Sequence, residues 1–171
     1  LYYHFHNKDE ILESIFAVFE REIEGTLAAP TRRPADVEDI WLFLHLLFEQ
    51  IWKYRFFYRD LNDLLTRNRL LEVHFRQILL HKVRTATTLC EGLVLAGAMR
   101  ASRDELRALA TNMTVIATYW LSYEYACDPR GKLESGRIGR GVHQVMAMLS
   151  PFLVGESKGL LDRLSQEYLA A

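Results

Sequence analysis

His45 and Glu49 stand four residues apart in the most apolar stretch of the chain, so on a helix their imidazole and carboxylate point the same way. Such a pair can converge on one metal ion or one polar ligand group. The same spacing also suits a mutually hydrogen-bonded pair that lines a cavity without metal, because a buried Glu needs a partner. That second reading is the one adopted. His74, Gln77, His81, Arg84 and Thr88 recur at intervals of three and four, a polar stripe suited to a solvated face or a pocket wall. Thr111, Thr114, Thr118 and Ser122 form a further run of small polar positions, whose short side chains let a second helix or a ligand come close. Arg55, Arg59, Asp60, Asn62 and Asp63 can pair across one turn and predict a buried or half-buried polar knot that fixes a bend.

For catalysis the sequence offers little. There is no nucleophile elbow and no HExxH, and Cys90 carries no mark of an activated thiolate. The run Gly136-Arg137-Ile138-Gly139-Arg140-Gly141 follows no strand pattern and fits no phosphate-loop register. Glycines inside a helix cost about 1 kcal/mol each against alanine. Their presence points to close backbone approach, most simply across an interface between two copies. No catalytic residue, resident metal or cofactor is therefore expected.

The elements that position these groups read as helices throughout. Residues 7–28 carry Ile11, Leu12, Ile15, Phe16, Phe19, Ile23 and Leu27 on one stripe, a helix about 33 Å long. The prolines Pro30 and Pro34 then enforce a connection, and Asp36 is placed to cap the next helix. Residues 36–54 are apolar on nearly all sides and predict the central helix of a bundle. A bend near 54–58, a short helix to about Asn68, a long helix over 69–95 stopped by Gly97, and a Ser102/Glu105 capping box opening a helix to about Tyr125 come next. Two more helices are expected over 134–153 and 157–169. Nothing alternates with period two, so the fold class is an all-α multi-helix bundle.

Half of the 171 residues are hydrophobic, enough for one core, and the net charge is −1. The two cysteines, Cys90 and Cys127, make no CxxC and suit a reducing cytoplasm. The most apolar run, Ile40 to Trp52, is interrupted by His45, Glu49 and Gln50 and is too short and polar to span a bilayer.

The chain opens Leu1-Tyr2-Tyr3-His4-Phe5-His6-Asn7-Lys8-Asp9-Glu10-Ile11-Leu12, with Asn7 and Glu10 at capping-box spacing. This run resembles the junction between recognition helix and connector helix in TetR-family regulators. The resemblance implies that most of a helix-turn-helix precedes residue 1, which would hold the positive charge this chain lacks. It divides the chain into a reading-head remnant over 1–6, a connector helix over 7–28, and a TetR-type ligand-binding and dimerisation domain over 36–171. It also implies that Tyr2, Tyr3, His4 and Lys8 approach DNA phosphates, donors that fix register and carry little base information.

The expectation is a cytoplasmic, homodimeric, DNA-binding transcriptional regulator, a repressor, whose partners are operator DNA and a small, mainly apolar effector. The effector cavity is expected among Trp41, His45, Phe48, Glu49, Trp52, His81, Thr88, Thr118 and Ser122. The dimer interface is expected to pair the helices over 102–125 and 134–153 with their counterparts through Gly139, Val142, Met146 and Leu149. The rival from another class is a helical-bundle enzyme or ligand carrier that uses His45 and Glu49 as an acid/base or metal pair.

Overall fold

The computed structural model describes residues 8–28, 35–131 and 136–170, with side chains to residue 168. Its helices are α1 (Lys8–Leu27), α2 (Val37–Lys53), α3 (Arg55–Arg59), α4 (Leu61–Arg67), α5 (Arg69–Leu95), α6 (Arg103–Cys127), α7 (Gly136–Leu149) and α8 (Glu156–Ala170), with one 3-10 turn at Ser150–Phe152. The described residues hold no strand, only a single bridge between Met99 and Leu153.

Local signals set the helix ends. Asp36 and Asp39 exchange reciprocal bonds of 2.9 Å between side chain and backbone and open α2. Ser102 and Glu105 do the same for α6 at 3.3 and 2.7 Å. The Asn68 side chain accepts from the Leu71 N–H at 3.0 Å and starts α5. At the far end of α5, Gly97 adopts φ +71°, and the Ala98 and Gly97 N–H groups close back onto the Leu93 and Val94 carbonyls. This Schellman closure is why α5 stops where a glycine stands.

α1 lies along α5 and α2 and buries Phe16, Phe19, Ile23 and Leu27, leaving Ile11, Ile15 and Val18 on its outer face. At its inner face Phe16, Phe19, Tyr54, Phe57, Tyr58 and Phe75 form a continuous aromatic cluster with edge-to-face and tilted contacts, such as 5.5 Å between the Phe16 and Phe57 centroids. The bend after α2 delivers Phe57 and Tyr58 into this cluster. The polar groups around the bend are not buried as expected: Arg59 pairs with Asp60 and Arg67 with Asp63 on the surface, their side chains half exposed or more.

α2 is only partly central. Ile40, Leu44, Leu47, Phe48 and Ile51 are buried, but Leu42 and Leu46 remain 47% and 41% exposed. α7 packs against α2, α6 and α8, and a polar staple fixes its start. Buried Arg137 reaches the Glu124 carboxylate at 3.7 Å and that of Asp128 at 3.2 Å, Arg140 pairs with Glu124 at 2.7 Å, and the Trp120 indole donates to the Arg137 carbonyl. Gly141 lets α7 approach closely, since a Cβ there would sit 2.5 Å from the Phe48 ring and 2.7 Å from that of Trp120.

Candidate functional site

The His45 and Glu49 pair forms as the spacing required, with Nε2 3.3 Å from Oε1, but on the flank of α2 rather than in the core. The other ring nitrogen, Nδ1, lies 3.1 Å from the Tyr168 hydroxyl of α8, and the imidazole stacks on Trp41 at 5.7 Å. Burial pushes the Tyr168 hydroxyl above its ordinary pKa. Beside this cluster runs a groove of about 450 Å³ between α2, α7 and α8, walled by Trp52, Lys53, Ile138, Gly139 and Val142. Lys53 donates at 2.6 Å to Glu22 of α1. That bond holds the Glu22 carboxyl below and the Lys53 ammonium above their usual ranges.

Of the expected cavity residues, His45, Glu49 and Trp52 line this groove. The others are placed elsewhere. Trp41 packs behind His45, and Phe48 is fully buried in the core. His81 turns toward Glu24 of α1 at 3.7 Å, and His74 in the same stripe meets Glu20 at 2.8 Å. Thr88 is exposed. Ser122 donates to the Tyr58 carbonyl at 3.4 Å, and the buried Thr118 hydroxyl sits 3.4 Å from a group absent from the expected set, the ammonium of Lys82.

Lys82 is 2% exposed at the centre of the bundle. It also donates to the Tyr58 hydroxyl at 3.3 Å and lies 5.0 Å from the Tyr58 ring centroid. Burial pushes its pKa down to about 7, and burial holds the enclosed Tyr58 hydroxyl protonated. The clue was in the register. Phe75, Ile78, Lys82, Ala86 and Leu89 recur at the interval of one buried stripe, and a lysine occupies an inward position. One turn on, the Thr85 hydroxyl donates to the carbonyl of Leu27, the last residue of α1, at 2.8 Å. Cys90 is buried as well, its thiol pushed up to about 12 by burial, which makes it inert.

Tyr2, Tyr3 and His4 lie outside the described residues. Lys8 stands exposed on the first turn of α1. The expected interface residues pack against helices of their own chain. Val142, Met146 and Leu149 are at most 1% exposed within a single chain, and Gly139 faces the Tyr168 ring of α8, so this stripe holds α7 to its own bundle. The free surface of the same two helices is another one: Val115, Tyr119 and Tyr123 of α6 are 50%, 39% and 58% exposed beside a shallow recess shared with Ile116, Trp120 and Gln144.

Among the described residues, no three His, Cys, Asp or Glu side chains gather as metal ligands, and no helix is long and apolar enough to cross a membrane. The described residues thus form an all-α bundle with α1 docked along it, a lateral groove and a bare aromatic face. The family profile described as TetR, bacterial transcriptional repressor, matches residues 18–161. A crystal structure of a TetR-family transcriptional regulator from Marinobacter aquaeolei VT8 is similar throughout, with a TM-score of 0.86 at 27% identity over 98% of this chain and 80% of that one. Comparison with curated proteins finds no match. The chain belongs to the TetR family and is a DNA-binding transcriptional regulator.

Proposed function

We propose that this regulator is a homodimeric repressor released from its operator by a small, mainly apolar effector. The observation that carries the reading is the sharing of Lys53 between the groove and the connector. A residue that lines the groove also holds Glu22 of α1, so a ligand seated against Trp52 and His45 changes a bond made by the helix that leads to the reading head. Effector binding then shifts the population between two settings of α1. The groove's size and mainly apolar walls suit such a molecule, with His45 and Glu49 orienting one polar group.

DNA contact is assigned to Tyr2, Tyr3, His4 and Lys8, and the outer stripe of Ile11, Ile15 and Val18 supplies an apolar seat for a reading head. Dimerisation is assigned to α6 and α7 through the face of Val115, Tyr119 and Tyr123.

Two measurements on the protein with its reading head test this. Lys8→Ala should weaken operator and non-operator DNA alike and lower the salt slope of binding by about one unit. Trp52→Ala should flatten the response of a reporter promoter to apolar inducers. An unchanged salt slope removes Lys8 from the DNA surface, and a full inducer response in the Trp52 variant moves the effector site out of the groove.

A further inference from the structure

A second place in the bundle has the makings of a ligand site and shares no residue with the groove. The Lys82 ammonium is buried among Phe43, Leu44 and Leu47 of α2, Met113 and Thr118 of α6, and the Tyr58 and Phe75 rings. No carboxylate among the described residues lies within ion-pair distance of it. Its polar partners are two hydroxyls at 3.3 and 3.4 Å, long for bonds to a charged donor, so the ammonium retains unused donor capacity. A void of about 10 Å³ adjoins it, room for at most a water.

A buried cation without an anion is an incomplete pair. Buried charges are otherwise paired, and a solitary one surrenders its proton instead, which is the direction in which Lys82 is displaced. We propose that Lys82 is the anchor for the carboxylate of an apolar organic acid that binds inside the bundle between α2, α5 and α6. One ammonium balances a single negative charge, so a monoanion fits and a dianionic phosphate would leave charge uncompensated. The Tyr58 and Thr118 hydroxyls stand ready as second donors to the same carboxylate. The hydrocarbon body enters by widening the void on the side of Met113, an unbranched side chain that repacks readily. Side chains facing Lys82 from α2 and α6 carry no ionisable group. From α3 there is only the Tyr58 phenol, protonated at neutral pH, so proton exchange on binding reports Lys82.

The test is calorimetric titration of the whole chain near pH 7.5 with hexanoate and, as a neutral match, hexanamide. Hexanoate should bind at least tenfold tighter and take up a fraction of a proton, read from two buffers of different ionisation enthalpy. Lys82→Met should abolish both the preference and the proton uptake, while Leu42→Ala on the exposed side of α2 should change neither. Equal affinities for acid and amide, no hexanoate binding at millimolar concentration, or loss of hexanoate in Trp52→Ala with retention in Lys82→Met would each overturn the assignment. The ligand pair and proton count on the unaltered chain decide the matter even if the Lys82 variant misfolds.

Discussion

At the scale of single residues, the molecule's most consequential side chain is one that breaks a pattern. Lys82 occupies an inward slot between Ile78 and Ala86, where helix periodicity alone would place a leucine. Its protonation sets a pH dependence whose sign is fixed by its burial. The unfolded chain keeps the proton to about 10.5, whereas the folded chain releases it near 7. Between those values the unfolded state binds more protons, so stability rises with pH. Relative to Lys82→Met, the unaltered protein should gain about 1.4 kcal/mol per pH unit across that window, followed by urea unfolding from pH 7 to 9.5. Parallel profiles for the two proteins would show that Lys82 meets water in the folded state. This residue was legible in the spacing but was missed, because a count of apolar positions registers a stripe and ignores the exception within it.

Elements were legible where their causes are local. Asp36, Ser102 and Gly97 each act within a few residues, and each ends or begins a helix where the sequence placed it. What covers an apolar face is not local. Val142, Met146 and Leu149 announce a covered face on α7, but only the packing shows that α2, α6 and α8 cover it, and the all-round apolar α2 turned out to leave Leu42 and Leu46 bare. The glycines of α7 have the same lesson, since close approach occurs within the chain at Gly141. Gly141→Ala should therefore destabilise by about 1–2 kcal/mol, the clash with Phe48 and Trp120 outweighing a better helix propensity. Gly25→Ala in α1, with nothing within 4 Å of the new methyl, should instead stabilise by up to about 1 kcal/mol. Thermal unfolding of both variants checks the pair, and equal shifts would mean that the α7 contact yields without cost.

At the scale of the whole molecule, the exposed side of α6 is an apolar surface whose partner the single chain does not supply. Val115, Tyr119 and Tyr123 repeat every four residues along it, the spacing of a helix-on-helix seam. A two-fold arrangement would bring this face onto its own copy, burying aromatic area that a lone chain leaves in water. Val115→Glu places a charge within the seam and should halve the mass seen by sedimentation at micromolar concentration, with the helical circular dichroism unchanged because Val115 touches solvent in the single chain. A dimer that survives the substitution would put the seam on another face.

The bond from Thr85 to the Leu27 carbonyl also has a mechanical meaning. It pins the trailing end of a rod of 20 residues, about 30 Å long. Packing on α2 and α5 and the Lys53–Glu22 and His74–Glu20 bonds hold the same rod along its length, so a tilt about Leu27 is drawn against them, and displacement grows with distance from that end. A tilt of about 5° moves Lys8 by ~2.6 Å, and in the homodimer proposed above two such helices tilting oppositely would change their tip separation by about 5 Å, against the 34–36 Å that two reading heads would have to span. The arm also explains where sensitivity concentrates. A rotation set at the Leu27 end displaces Lys8 by far more than it displaces Ile23, one turn away.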